Sequence, residues 1–273
     1  MISFEEFCTQ TSFFQTKWGR SVAKAVYHIT GLDRVYQVYF TSKEKTHNGQ
    51  EFVDEVYRQT GVETVIEDPE ALQYFIDNEV FVTVSNHPFG MYDGMSLVRT
   101  ISTVRPDIRG ITNFLLSKIE PIAHHFIPVN PFAKSTSSRS SLPGLRIAKQ
   151  HLADRHPLFF FPSGQVSHIT RRFKIEDREW QSSSVKFIQK SKVPVIPIFF
   201  YGHNSWKFLL IGLIHPVLRT LFIPSEILSK RGRKIVLHIG EPISVAEQSK
   251  YKTPEEFGRF LYQRTYALKN KTL

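Results

Sequence analysis

One histidine and one aspartate, with five residues between them, open the chemical reading of this chain: Val82-Thr83-Val84-Ser85-Asn86-His87-Pro88-Phe89-Gly90-Met91-Tyr92-Asp93-Gly94. An apolar run ends in a polar pair, a Pro/Gly turn follows, and Asp93 stands where a helix begins. Catalytic groups of open α/β sheets gather beyond the carboxyl ends of strands. A turn of this length can fold the Asp93 carboxylate back onto the His87 imidazole. There it would hold one tautomer and stabilise the imidazolium, leaving the other ring nitrogen to take a proton from a hydroxyl. The same residues also suit a strand-end cap and a helix N-cap, common uses of Asn, Asp and Gly. Both readings stand at this point.

A second polar turn follows another apolar run, at Phe161-Pro162-Ser163-Gly164-Gln165-Val166-Ser167. Gly164 would let a ligand approach the backbone closely. Taken alone the stretch is a turn. No G-x-S-x-G elbow occurs in the chain, so Ser163 is a poor hydrolase nucleophile. No metal is expected, because no cluster of His or carboxylates has ligand spacing. His124 and His125 would face opposite ways on a strand and read as structural.

These groups need a frame. From residue 80, apolar runs at 80–84, 126–129, 158–161, 193–200 and 235–239 alternate with amphipathic stretches at 94–103, 140–152 and 179–190. Runs that are apolar throughout suit strands covered on both faces. The first 80 residues read mainly helical, around 4–30 and 50–59, with a helix start at Asp68-Pro69. Thr253-Pro254-Glu255-Glu256 predicts a capping box opening the last helix. The expected fold is α/β, with a mostly parallel central sheet flanked by helices. Residues 1–79 form a helical N-terminal region packed on the core, and 80–273 form the main domain.

Composition removes other classes. The 273 residues contain one cysteine and are 41% hydrophobic. A chain of this length buries a sizeable core without disulfides, and a lone Cys8 suits a reducing compartment. Two glutamates stand near the N-terminus where an export signal would be basic. The longest apolar stretch, residues 208–214, is far short of the roughly 20 needed to span a bilayer. Residues 207–223 could lie at a membrane interface or form a buried helix. Residues 1–80 hold 7 basic and 13 acidic side chains, and residues 81–273 hold 28 and 12. A positive body attracts polyanions such as anionic lipid headgroups or phosphorylated carriers. Lys230, Arg231, Arg233 and Lys234 are candidate surface cations. Nucleic acid is not expected, since no recognition pattern for it occurs.

Taken together, the two turns resemble the glycerolipid and lysophospholipid acyltransferase superfamily. The similarity is greatest to the bacterial branch often labelled hemolysins, which includes O-acyltransferases making ornithine and glycine lipids. Four blocks align in order over about residues 80–245: residues 86–94, Phe126-Ile127-Pro128-Val129-Asn130-Pro131-Phe132, residues 161–167, and Val193-Pro194-Val195-Ile196-Pro197. The resemblance implies that His87 is a general base and that Asp93 orients it. It further implies substrate contacts from Asn86, Gly90, Asn130, Phe161, Pro162, Ser163, Gly164 and Ser167. It implies a fatty acyl thioester of acyl carrier protein or coenzyme A as donor, with no other cofactor. The acceptor would be a lipid hydroxyl, and the enzyme would lie peripherally on the cytoplasmic side of the inner membrane. Three departures from the wider superfamily matter. The His–Asp spacing is one residue longer, as in the aminolipid branch. Ser163 replaces a Glu, and Asn130-Pro131 stands where glycerol-phosphate acylators carry an Arg. An Arg fork matches phosphate geometry and an Asn cannot supply its charge. The resemblance therefore implies a monoacylated aminolipid acceptor. The alternatives are a lysophospholipid or glycerol-phosphate acyltransferase, or a non-catalytic lipid-binding protein.

Overall fold

The computed structural model describes the chain apart from residues 1–2, 10, 114–118, 130–141, 171–172, 215–218, 220 and 272–273. A seven-stranded sheet carries the strands β1 (Glu63–Ile66), β2 (Val82–Ser85), β3 (Arg109–Asn113), β4 (Phe126–Val129), β5 (Leu158–Phe160), β8 (Val195–Phe200) and β9 (Lys234–Ile239). Their order is β1-β9-β8-β2-β5-β3-β4. Strand β2 lies parallel between β5 and β8, and β3 lies parallel between β5 and β4. Strand β9 is antiparallel to β8. A separate antiparallel pair, β6 (His168–Ile169) with β7 (Ile175–Glu176), follows the second polar turn. The expected α/β class with a mostly parallel sheet is what the chain adopts.

Every residue of β2, β5 and β8 is buried, which suits the unbroken apolar character of β5 and β8, while β2 alternates Val with buried Thr83 and Ser85. Helices Ser182–Ser191 and Pro254–Ala267 supply Val185, Ile188, Phe257 and Leu261 to a core shared with Val82, Val84, Leu158 and Val195. Each such side chain contributes about 1.5–3 kcal/mol by leaving water. Because β2, β5 and β8 are parallel, their carboxyl ends finish on one edge, with Val84 beside Phe160 and Ser85 beside Ile198.

Local signals hold where they were explicit. Asp68 accepts a hydrogen bond from the Glu70 N–H and starts the short 3-10 turn Pro69–Leu72. Thr253 and Glu256 form the reciprocal capping box of the final helix. Strands β1 and β3 have no apolar run to announce them. Strand β3 reads Arg-Gly-Ile-Thr-Asn, and its glycine accommodates the Phe159 ring, which a Cβ at Gly110 would approach to 2.1 Å. His124 and His125 lie on the 3-10 turn Glu120–His125, not on a strand. His125 Nδ1 is 3.1 Å from the Ile108 carbonyl, which can only accept, so that nitrogen carries the proton.

The chain divides into two compact units. One comprises Met1–Glu63 with Asn204–Arg233, and the other Thr64–His203 with Lys234–Leu273. From Thr64 onward the chain joins the sheet: the Glu67 N–H donates to the Leu237 carbonyl. In the first unit, helices Phe4–Cys8, Ser12–Gln15, Lys17–Ile29, Leu32–Lys45 and Gly49–Thr60 bury Ala23, Tyr27, Phe52 and Tyr57. Within that unit Lys230 is not a surface cation. It is 4% exposed, with Nζ 3.5 Å from Glu226 one helical turn earlier.

Candidate active site

The site begins where β2 stops. Asn86 follows it and is buried, with its carboxamide occupied at both ends. Its Nδ2 donates to the Phe200 carbonyl at 2.9 Å, and its Oδ1 accepts from the Phe200 N–H at 2.7 Å. This side chain therefore stands in for a ladder rung between the ends of β2 and β8. His87 comes next, held by its main chain. Its N–H donates to Asp177 Oδ1 at 3.1 Å, and its carbonyl accepts from the Ser167 N–H at 2.8 Å. The imidazole stacks on Phe161 with ring centres 4.1 Å apart.

Gly90 completes the turn at φ +74°, a conformation that disfavours any side chain. Helix Met91–Ile101 starts there and brings Asp93 back. Asp93 Oδ2 accepts from the N–H groups of Phe89 and Gly90 at 2.8 and 2.9 Å. The same oxygen lies 2.9 Å from His87 Nδ1. Asp93 is thus both the helix cap and the histidine's partner, so the two readings of the sequence describe one arrangement. The distance between the pair suits a hydrogen bond, but the contact lies off the line of the ring N–H. Catalytic contacts often tighten only once substrate is bound. Asp93 has no exposure, and burial pushes its carboxyl above the ordinary carboxylate value. His87 and the two main-chain N–H groups pull the other way. A neutral His87 that keeps its proton on Nδ1, the nitrogen nearer Asp93, carries its lone pair on Nε2.

The second polar turn is arranged differently. Ser163 Oγ donates to the Gln165 carbonyl at 2.8 Å, and the Gly164 N–H donates to the Phe161 carbonyl at 2.9 Å. Gly164 has φ +64°, and the Gln181 amide occupies the space a Cβ would need. Gln181 also donates its N–H to the Pro162 carbonyl. Ser167 Oγ donates to Asp177 at 2.6 Å. The structure therefore brings His87, Asp93, Gly90, Phe161 and Ser167 together. It places Pro162, Ser163 and Gly164 in a braced turn beside them and uses Asn86 as a strand tie. Asn130 lies outside the described residues.

Asp177 is the site residue that sequence reasoning missed. It is 6% exposed and receives His87 N–H, Ser167 O–H and, at 3.3 Å, Trp180 Nε1–H. Its own N–H donates to the Tyr266 hydroxyl at 2.9 Å. Burial pushes its carboxyl upward, while these donors oppose that shift. In sequence Glu176-Asp177-Arg178-Glu179 reads as a solvated charge run. The neighbouring Trp180, an apolar side chain in a charged stretch, is the local sign that this segment turns inward.

The model of the family described as "Acyltransferase" matches residues 22–272. The chain belongs to the acyltransferase family. Among its relatives is a lyso-glycine lipid O-acyltransferase of Phocaeicola vulgatus, 27% identical and aligned over 91% of this chain and 88% of that protein. A second, from Bacteroides thetaiotaomicron and bearing the same name, is 24% identical over 69% of this chain and 70% of that one. A solved structure, the 1-acyl-sn-glycerophosphate acyltransferase PlsC of Thermotoga maritima, covers 90% of this chain and is itself covered over 93%. It is 16% identical, with a TM-score of 0.47. In this acyltransferase, three or more His, Cys, Asp or Glu side chains do not cluster as a metal site among the described residues.

Proposed function

We propose that this acyltransferase transfers a fatty acyl group from a thioester to the hydroxyl of a monoacylated aminolipid, of the glycine-lipid or ornithine-lipid type. The observation that carries the mechanism is His87 Nδ1 set 2.9 Å from the buried Asp93 carboxylate at the mouth of the parallel strands. The acceptor class is supported by the names of the relatives and by the Asn130-Pro131 sequence of the second block, which lacks a phosphate-matching Arg.

The steps follow from the pair. His87 Nε2 removes the acceptor's hydroxyl proton as the oxygen attacks the thioester carbon. Asp93 stabilises the imidazolium that forms. The tetrahedral oxyanion collapses, the C–S bond breaks, and the departing sulfur takes the proton from Nε2. An ester and a free thiol result, with no acyl-enzyme. Acyl carrier protein or coenzyme A carries the donor acyl group, and the excess of basic over acidic residues after position 80 suits either acidic carrier.

The enzyme works at the cytoplasmic face of the inner membrane. No helix among the described residues is long and apolar enough to cross a bilayer. Helix Trp206–Ile214 buries Phe208 and Leu209 but exposes Trp206, Leu210 and Leu213 at helical spacing. Helix Lys17–Ile29 likewise exposes Trp18, Val22 and Ile29. Such stripes fit shallow insertion among headgroups.

The deciding experiment gives the purified enzyme an acyl thioester and, in parallel, an N-(3-hydroxyacyl) amino acid or lysophosphatidate. Faster esterification of the amino-acid lipid is expected. Preference for lysophosphatidate would overturn the acceptor assignment, and acylation of neither would overturn the catalytic reading.

A further inference from the structure

The main chain of His87 is held by a closed ring of hydrogen bonds that the His–Asp pair does not require. The His87 N–H donates to Asp177 Oδ1, the Ser167 N–H donates to the His87 carbonyl, and the Ser167 hydroxyl donates back to the same Asp177 oxygen. Three residues thus close on one another although Asp177 lies 90 positions from His87. Ser167 immediately precedes β6 and Asp177 immediately follows β7, so the hairpin's two ends pinch one residue of the first turn. Two more contacts anchor the carboxylate's residue: Trp180 Nε1–H on Oδ2, and Tyr266 of the final helix on the main-chain N–H.

No Lys or Arg pairs with Asp177 among the described residues. Three donors around one carboxylate match the acceptors of its ionised form and leave no lone donor stranded. A buried negative charge so held exerts a field on the imidazole beside it. Oriented dipoles and charges of this kind act strongly where water is excluded.

We propose that Asp177 is a positioning residue for the acyl transfer: as a carboxylate it fixes the His87 main chain through the Ser167 ring and so sets where the imidazole stands. This rests on His87 acting as the general base. Two carboxylates then hold one histidine, Asp93 near Nδ1 and Asp177 on the main chain. The titratable groups set against His87 are Asp93 and Asp177, and those set against Asp177 are His87, Tyr262 and Tyr266.

Asp177→Asn separates geometry from charge, because its amide oxygen still accepts from His87 and Ser167. The full-chain enzyme is assayed for kcat and KM across pH. Losing the charge while keeping the accepting oxygen should lower kcat about tenfold or more with KM little changed. Asp177→Glu, which keeps the charge on a longer arm, should recover part of that loss. Unchanged kcat in a folded Asp177→Asn enzyme would overturn the proposal. Full activity in His87→Ala would instead overturn the general-base reading on which the proposal rests. If Asp177→Asn does not fold, Ser167→Ala provides the second route. It opens the ring while keeping the charge, and should lower kcat several-fold with KM unchanged. Wild-type kcat there would remove the positioning role.

Discussion

Two strand ends of the same sheet carry similar Pro/Gly turns and treat their polar groups in opposite ways. After β5, nearly every hydrogen-bonding group is engaged within the turn or its brace: Ser163 with Gln165, Gly164 with Phe161, Pro162 with Gln181. After β2, the main chain is held just as firmly, but side-chain capacity is left over. Asp93 Oδ1 has no hydrogen-bond partner among the described residues. A buried unpaired carboxylate oxygen costs stability, and such costs concentrate where a site must act on something else. The turn after β5 is therefore a frame, and the turn after β2 carries the proposed proton transfer.

The largest effect that could break this contrast lies at Asp93. Asp93→Asn should lower kcat/KM about 100-fold or more, since the imidazolium loses its counter-charge. Combined with His87→Ala it should add little, because the pair acts as a unit. Stability should move the other way. Burial raises this carboxyl's folded value above its ordinary 3.8. The native state therefore binds its proton more tightly than the unfolded chain does, and ionisation costs stability as pH rises. That cost is absent below the ordinary value and complete above the raised one. At neutral pH, thermal unfolding should show Asp93→Asn as stable as the parent or more so. A clear loss of stability there would place Asp93 in the frame instead.

Next in size is Asn86→Ala. It strands the Phe200 N–H and carbonyl at the end of β8, and should cost about 1–3 kcal/mol by denaturant titration. The surviving folded enzyme should keep most of its kcat. Gly164→Ala imposes a left-handed residue and displaces Gln181, a cost of about 1–2 kcal/mol, again seen in unfolding. The smallest effect belongs to Ser163→Ala, about 1 kcal/mol for one hydrogen bond, with kcat within a few-fold. A hundredfold drop in kcat at Ser163 would move chemistry into the second turn and dissolve the contrast.

The sequence discloses these elements unevenly, for physical reasons. Strands β5 and β8 are covered on both faces and apolar throughout, and β2 follows an apolar start with Val82 and Val84 in the core, so they stand out. Strand β1 is a partly exposed edge, and β3 gives its packing position to Gly110 so that the Phe159 ring can lie across it. Neither leaves an apolar run. His87 and Asp93 were legible because one short turn joins them, and local geometry follows from local sequence. Asp177 was not, because its role exists only once the β6–β7 pair brings it against a residue 90 positions earlier. Lys230 misled for the converse reason: it sits in a basic tract, yet its charge turns inward to Glu226. Charge counts see composition and not direction.

The general-base claim itself is tested most directly by His87→Ala in the purified enzyme, assayed for esterification of an N-(3-hydroxyacyl) amino acid by an acyl thioester. The replacement removes the base and its partner's purpose together, while thermal unfolding reports whether the fold persists. Turnover should fall by about 10²–10⁴-fold with the unfolding transition retained. A folded His87→Ala enzyme working within a few-fold of the parent rate would contradict the account.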